Sequence, residues 1–343
     1  MMKHKKWKIE KAQEWQIQKG YKAGANYTTS TACNQLEMFQ EETFDPETIA
    51  KEFQWAKDIG FKLMRVYLHN LLFTDSKLFQ RLDEFLTIAH RYGIEIMFVL
   101  FDSCWDPNPV SGPQLPPIPG KHNSRWVQAP GNDILQNEVE FEKLKDYVEG
   151  IIGHFRDDHR IFAWDLWNEP DNSNYPHDLI SPRLEKVFSW ARNANPSQPL
   201  TCPIWNNFEV EEFSDFQKLS MDLSDVISFH NYSKEKDFVH CIQRIKHYAN
   251  ERPLICSEYL ARTCENFFNP QLQILKSENI YAINWGFVAG KIQTQYSWET
   301  LKSPATEDPE IWHHDILKPN GEPYRSAEIE FIKSVLHNHC EDK

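Results

Sequence analysis

Two glutamates in this chain each end an apolar run, and they could act together in catalysis. Glu169 lies in the segment 160–170, which reads RIFAWDLWNEP, and Glu258 ends the run PLICSE. Continuous apolar runs are typical of strands in a buried parallel sheet, and Pro170 lacks the N–H that a further ladder bond would need. Each carboxylate is therefore expected at a strand end, where apolar surroundings raise a carboxyl pKa.

Two carboxylates that share one pocket repel each other, so one is driven to hold a proton while the other stays ionised. That split provides an acid and a nucleophile, which is the minimum needed to cleave a glycosidic bond. For a lone Glu-Pro pair, a solvated glutamate that caps the next element would be the simpler interpretation. Trp167 and Asn168, which precede Glu169, and the second carboxylate favour the catalytic one.

Other predicted strand ends carry polar groups that suit such a site. Arg65 in LMRVYLH could hold Glu258 ionised, or it could form an ordinary buried ion pair. Asp102 in VLFDSCW could bind hydroxyl groups or cap a loop. His230 and Tyr232 close the run ISFHNY, where the tyrosine hydroxyl could steady the nucleophile.

The elements that must position these groups alternate regularly along the chain. Eight apolar bursts are separated by amphipathic stretches, which favours a single (β/α)8 TIM barrel. A doubly wound open sheet is the alternative, but no glycine-rich turn follows the first strand. We expect an N-terminal extension over residues 1–20 and a catalytic barrel over 21–340. The predicted strands are 21–26, 63–69, 95–101, 161–167, 200–205, 226–230, 254–258 and 282–287.

Two connections, 102–131 after the third strand and 288–324 after the eighth, are longer than usual and should lie over the carboxyl ends of the strands. Trp105 and Trp126 occur in the first of them. Interleaved tryptophans favour a packed lid, because disordered segments are poor in aromatic residues. Trp126, among polar residues in HNSRWVQ, is a candidate to contact sugar, with loop packing as the alternative. Trp285 in AINWGF offers a flat face to a sugar ring or belongs to the core.

Composition excludes several classes of partner. The 343 residues carry a formal net charge of -13, and no basic stripe is available to neutralise the phosphates of a nucleic acid. No apolar run approaches the roughly 18 residues of a membrane span. The N-terminus lacks an apolar signal region, and the seven cysteines show no CxxC pairing. We therefore expect a cytoplasmic protein, or a secreted one if a signal was removed.

Five short motifs occur in an order and spacing that resemble clan A glycoside hydrolases. They are RVY at 65–67, WNEP at 167–170, HNY at 230–232, SEY at 257–259 and NWGF at 284–287. The greatest similarity is to the cellulase family, glycoside hydrolase family 5, and to relatives described as β-1,4-xylanases. The resemblance covers roughly residues 20–335.

The resemblance implies a retaining β-glycosidase that acts on β-linked oligo- or polysaccharide and needs no metal or organic cofactor. Glu169 would be the acid/base, Glu258 the nucleophile and Asn168 the partner of the sugar 2-hydroxyl. The subsite of the cleaved sugar would be lined by Arg65, His230, Tyr232 and Trp285. The sugar, the linkage, the oligomeric state and the choice between cleavage within a chain and at its end stay open.

One position departs from the family pattern. Many members have a histidine two residues after the aspartate of the third strand, where this chain has Cys104. Two other classes of protein remain as alternatives. One is a non-catalytic glycan-binding barrel, and the other is a metal-dependent hydrolase that would use His69, His230 or His313. The pair at 313–314 resembles a metal signature, but the first strand lacks the HxH of such enzymes.

Overall fold

The computed structural model describes residues 5–206 and 208–337 of the chain. Within them, eight parallel strands form one sheet, and the predicted TIM barrel is confirmed. The strands are β1 (Ala23–Asn26), β2 (Leu63–Tyr67), β3 (Glu95–Val99), β4 (Ile161–Asp165), β5 (Leu200–Thr201), β6 (Ile227–His230), β7 (Leu254–Glu258) and β8 (Tyr281–Asn284). Their order in the sheet is β5-β4-β3-β2-β1-β8-β7-β6.

The barrel closes between β5 and β6 through a short bridge rather than a full ladder. Ile204 pairs in parallel with Phe229, its N–H donates to the carbonyl of Ser228 at 3.2 Å, and the His230 N–H donates to the Ile204 carbonyl at 2.9 Å. The predicted strand over 200–205 is therefore too long. Pro203 has no N–H to donate, so the ladder of β5 stops after two residues and resumes beyond the proline.

The helices surround the barrel and carry the apolar faces expected of them. They are α1 (Ile9–Lys19), α2 (Gln35–Phe39), α3 (Pro46–Ile59), α4 (Leu78–Arg91), α5 (Asn132–Gln136), α6 (Glu138–Glu142), α7 (Leu144–His154), α8 (His177–Asn193), α9 (Asp215–Leu223), α10 (Glu235–Ala249), α11 (Phe268–Ser277) and α12 (Ser326–His337). Short 3-10 helices cover Asn70–Thr74, Asn172–Asn174, Arg262–Cys264 and Trp298–Leu301. Among the described helices, none is long and apolar enough to cross a membrane.

Helix α3 shows how local sequence sets these boundaries. The Asp45 side chain accepts from the Thr48 N–H at 3.0 Å, and Pro46 occupies the first helical position, where no N–H is needed. The helix ends at Gly60, whose φ of 102° lies in the left-handed region that glycine adopts without strain. The start and the end of this helix agree with the sequence pattern.

The predicted N-terminal extension contains α1, which packs against the end of the barrel opposite the predicted site. Trp15 lies 4.8 Å from the Phe162 ring and 5.6 Å from the Tyr281 ring, measured between centroids. Trp7, Ala12 and Trp15 share one buried cluster with side chains from inside the barrel. Residues 1–4 of the extension and 338–340 of the predicted barrel domain lie outside the described residues.

Two long loops follow β3 and β8. We call residues 100–131 the β3 loop and residues 285–325 the β8 loop. Both leave the carboxyl ends of their strands, which is the end of a TIM barrel where active sites form. The six cysteines that the structure describes are unpaired, and Cys264 alone among them is less than fully buried.

Candidate active site

Glu169 and Glu258 meet at the carboxyl end of the barrel. Glu169 follows β4 and Glu258 is the last residue of β7, and their side chains are almost completely buried. One carboxylate oxygen of each lies within 4.8 Å of the other. The backbone of Glu169 has a φ of 45°, a left-handed conformation that is uncommon for glutamate and typical of strained functional positions.

Arg65 contacts Glu258 and is completely buried. Its Nε and Nη2 atoms donate to Oδ2 of Asp165 at 2.9 and 2.7 Å. Its Nη1 donates to Oε1 of Glu258 at 2.8 Å and to Oδ1 of Asn26 at 2.8 Å. Its Nη2 also donates to Oδ1 of Asn168 at 2.7 Å. One guanidinium thus holds two carboxylates and two amides in a fixed arrangement.

The carboxylate of Glu258 is surrounded by donors. Besides Arg65, the hydroxyl of Tyr67 donates to its Oε1 at 3.1 Å, and the hydroxyl of Tyr232 donates to its Oε2 at 2.7 Å. A positive charge and hydrogen bonds to the charged form stabilise an ionised carboxylate. The site therefore favours Glu258 as an anion.

Glu169 has a different environment. Its Oε1 lies 2.7 Å from Nδ1 of His230, and its Oε2 accepts from Nδ2 of Asn172 at 2.6 Å. The thiol of Cys104 lies 3.6 Å from Oε2. Burial raises the pKa of Glu169 to about 7, and burial lowers the pKa of His230 to about 3. The histidine beside Glu169 is therefore neutral, and Glu169 is poised to hold or release a proton near neutral pH.

Asp102 and Asn168 form the side of the site next to Glu169. Nδ2 of Asn168 donates to Oδ1 of Asp102 at 2.9 Å, while its Oδ1 accepts from Arg65. The Trp126 indole N–H donates to Oδ2 of Asp102 at 2.5 Å. Burial raises the pKa of Asp102 to about 7. Both oxygens of Asp102 are engaged, which makes it a positioning group for Asn168 and Trp126.

A cavity of about 210 Å³ opens above these groups. It is lined by eight of the residues predicted for the site: Asp102, Trp105, Trp126, Asn168, Glu169, Tyr232, Glu258 and Trp285. The other two, Arg65 and His230, lie behind it and hold the glutamates. Trp105 is 36% exposed, whereas Trp126 is only 2% exposed. Of these two rings, Trp105 is therefore the one open to a ligand.

Several lining residues were missed by the sequence analysis. Asn172 lies three residues after Glu169, and Trp205 is the last residue of the predicted fifth strand, so strand-end position would have identified both. Cys104 also lines the cavity. His122, Asn123 and His314 come from the two long loops. No local pattern marks the first two, and the histidine pair at 313–314 resembles a metal signature rather than part of a sugar site.

One group among the described residues could hold a metal ion: Glu169, His230 and Glu258. The histidines proposed for a metal-dependent hydrolase do not come together. His69 contacts the Gln128 carbonyl through Nε2 at 2.9 Å, and His313 contacts the Thr263 hydroxyl through Nδ1 at 2.6 Å. The donor set at the glutamates contains a single imidazole, and the Arg65 guanidinium already binds Oε1 of Glu258 at 2.8 Å. A positive charge beside one of the three ligands disfavours a cation at this place.

Comparisons with known proteins agree with the resemblance seen in the motifs. No protein-family model matches the chain. Endo-1,4-beta-xylanase A of Thermotoga maritima is 29% identical over 102 residues, 27% of this chain and 9% of that protein. A probable mannan endo-1,4-beta-mannosidase F of Aspergillus flavus is 26% identical over 121 residues, 34% of this chain and 23% of that protein. The matched parts of the chain thus span less than a quarter of these relatives.

Solved structures extend the likeness over almost the whole chain. A family 5 enzyme, GH5_18 from Streptomyces cattleya in complex with Manb1-4GlcNAc, has a TM-score of 0.63 at 13% identity and covers 94% of this chain and 82% of its own. An endo-1,4-beta-D-mannanase from Thermotoga petrophila has a TM-score of 0.59 at 17% identity. The match covers 92% of this chain and 99% of the mannanase chain. These likenesses show the shared fold. The predicted similarity to clan A glycoside hydrolases is confirmed by the xylanases and mannanases among the relatives.

The raised pKa of Glu169 predicts that Glu169→Gln stabilises the protein more at high pH than at low pH. Because the folded-state pKa is above the unfolded value of 4.5, the native state holds more protons than the unfolded state between about pH 4.5 and 7, and stability falls as pH rises through this window. Glutamine does not ionise. The variant should gain up to about 3 kcal/mol over the parent at pH 8 relative to pH 4.5.

Melting temperatures of both proteins across pH 4.5–8 measure this gain. Glu330→Gln, at an exposed position, is the control and should show a difference from the parent that does not change with pH. If the Glu169→Gln difference were equally flat, the raised pKa would be wrong.

The two tryptophans of the β3 loop should respond differently to alanine substitution. Trp126 packs against Tyr67 and Trp285 and satisfies Asp102, so Trp126→Ala should cost roughly 3–5 kcal/mol of stability. Trp105→Ala should leave the melting temperature nearly unchanged and should weaken binding of any ligand in the cavity. Thermal unfolding separates the two variants, and an unchanged melting temperature for Trp126→Ala would contradict the packing role of this residue.

Proposed function

We propose that this chain, whose relatives are clan A glycoside hydrolases, is a retaining β-glycosidase acting on β-linked oligo- or polysaccharide. The observation that carries the proposal is the pair of buried carboxylates within 4.8 Å of each other. Retaining glycosidases place these groups about 5–5.5 Å apart, and inverting ones about 6.5–9.5 Å apart. The two environments also differ in the way that an acid and a nucleophile require.

In the first step, the Glu258 carboxylate attacks the anomeric carbon, and Glu169 transfers its proton to the leaving glycosidic oxygen. The bond to the leaving sugar breaks and a glycosyl ester forms on Glu258. In the second step, Glu169, now ionised, takes a proton from water, whose oxygen attacks the same carbon and releases Glu258. No group outside the protein, the sugar and water takes part in this scheme.

The surrounding residues serve these steps. Arg65, Tyr67 and Tyr232 stabilise the charge on Glu258 between turnovers, and the Tyr232 hydroxyl is placed to steady the leaving carboxylate in the second step. Asn168, oriented by Arg65 and Asp102, can contact a hydroxyl next to the anomeric carbon. Because Glu169 must be protonated for the first step, its pKa of about 7 sets the alkaline limit of activity.

Carbohydrate is the expected partner, and β-mannosides are the first substrates to test. Mannanases occur both among the curated relatives and among the solved structures, and one solved neighbour holds Manb1-4GlcNAc. Xylosides come next, because of the Thermotoga maritima relative. A screen of aryl β-glycosides with β-1,4-linked oligosaccharides covers both classes.

The roles of the two glutamates are tested by labelling and by rescue. Glu258→Gln should abolish turnover, and an activated 2-deoxy-2-fluoro glycoside should label Glu258 in the parent, as peptide mass spectrometry can show. Glu169→Ala should retain the first step on dinitrophenyl glycosides, whose leaving group needs no acid. Azide should convert that variant's intermediate into a β-glycosyl azide. A β-glycosyl azide from Glu258→Ala instead would reverse the two roles.

The metal-dependent alternative rests on the Glu169, His230 and Glu258 group, and a chelator separates it from the glycosidase. Activity on the best aryl glycoside should be unchanged after dialysis against EDTA and after addition of Zn²⁺ or Mn²⁺ at stoichiometric amounts. Loss of activity on dialysis with recovery on metal addition would favour the metal-dependent enzyme. A protein that binds oligosaccharide in calorimetry but turns over none of the panel would be a glycan-binding barrel.

A further inference from the structure

The β3 loop and the β8 loop are joined to each other across one side of the cavity. Backbone and side-chain hydrogen bonds connect them at several points, each at 3.1 Å or less. The joined pairs are His122–Thr300, Asn123–Ile292, Gly120–Gln293 and Gly120–Ala305. A polysaccharide chain cannot pass through this side unless the two loops separate, so the cavity is closed there.

The closed side contains two histidines with one ring nitrogen each that can accept a hydrogen bond. Nδ1 of His314 faces the Leu260 carbonyl, and Nδ1 of His122 lies 2.8 Å from the Tyr296 carbonyl. A carbonyl only accepts, so each Nδ1 carries the proton. Burial lowers the pKa of both histidines, so each ring is neutral and its Nε2 is an acceptor.

Two of the acceptors on this side lack a partner. Nε2 of His314 and Oδ1 of Asn123 are buried and have no hydrogen-bond partner among the residues that the structure describes. Both residues line the cavity. A buried polar atom without a partner costs about 1–3 kcal/mol, and a ligand that supplies a hydroxyl donor removes that cost.

Another side of the cavity is open. Trp205, Tyr232 and Trp298 line both the cavity and an adjoining groove of about 600 Å³. The Trp205 indole N–H donates to Asp171 at 2.7 Å, and Asp171 lies two residues after Glu169. Because Glu169 delivers its proton to the leaving oxygen, the leaving part of the substrate extends on this open side.

We infer that the cavity holds the terminal sugar at the non-reducing end of a β-linked oligosaccharide, and that the protein cleaves chains from that end. The inference rests on the proposed β-glycosidase function. The volume of about 210 Å³ is below the roughly 300–1,000 Å³ of pockets for drug-sized ligands, which suits a single small unit. The groove lined by Trp205 and Trp298 receives the remaining sugars.

The acceptors explain how the terminal sugar is distinguished from an internal one. A terminal sugar of a β-1,4 chain has a free hydroxyl at carbon 4, which can donate to His314 or Asn123. In an internal sugar, the same oxygen is part of a glycosidic bond and has no proton, so these acceptors stay unpaired. Sites built to bond a hydroxyl reject analogues that lack it by large factors, up to about 10⁵.

Product analysis on the unmodified protein tests the inference. β-1,4-Mannopentaose, cellopentaose and xylopentaose, each labelled at the reducing end, are digested and followed over time. We expect products that shorten by one sugar at a time, with the label passing through every length in turn. Early labelled products of mixed length would show internal cleavage and overturn the inference while keeping the proposed function. No cleavage of any pentaose or aryl glycoside would overturn the proposed function and this inference with it.

A second comparison tests the hydrogen bond from the hydroxyl at carbon 4 separately from the closure of the two loops. The preferred aryl glycoside and its 4-deoxy analogue should differ in kcat/KM by on the order of 10²-fold or more, and equal values would overturn the role of the acceptors. His314→Asn keeps a donor for Leu260 and removes Nε2, so it should reduce that difference. His247→Asn, on the exposed face of α10, is the matched control and should keep the full difference.

Discussion

The contact of Arg65 with Asp165 and Glu258 is the interaction on which the rest of the site depends. The guanidinium has no exposed surface and lies between two carboxylates from β4 and β7. A charge buried in this way is stable only when it is paired and hydrogen-bonded, and all of its partners come from the carboxyl ends of strands. Removing Arg65 would leave two buried carboxylates unpaired, at a cost of about 3–5 kcal/mol. The barrel and the site are therefore linked through one side chain.

The ion pair between Arg65 and Glu258 also gives the two glutamates different electrostatic surroundings. Arg65 and two tyrosine hydroxyls stabilise Glu258 as an anion, whereas Glu169 contacts a neutral histidine, an amide and a thiol. Burial is the main cause of the raised pKa of Glu169, and repulsion by Glu258 is not among its principal causes. The sequence predicts both repulsion and apolar surroundings as causes of the raised pKa, and in the structure the surroundings are the larger cause.

The sequence predicts best those features that are determined by residues close together in the chain. β7 has the bounds expected from PLICSE, and α3 lies between Asp45-Pro46 and Gly60, because apolar runs, Asp-Pro and glycine each act within a few positions. The pattern predicts β5 too long, because Pro203 interrupts the ladder inside an apolar run that otherwise resembles a continuous strand. His122, Asn123 and His314 were missed because their position depends on contacts between loops that are almost 200 residues apart in sequence. Trp126 was identified as a site residue, but its burial and its bond to Asp102 follow from tertiary packing.

The most direct test of this account is a ¹³C NMR titration of the glutamate carboxyl groups in the resting protein, assigned with Glu169→Gln and Glu258→Gln. The account predicts that the Glu169 signal titrates near pH 7 and that it still does so in Glu258→Gln, because burial rather than the neighbouring charge holds the proton. A Glu169 signal that titrates near the ordinary value of about 4.3, or that falls there once Glu258 is replaced, would contradict it.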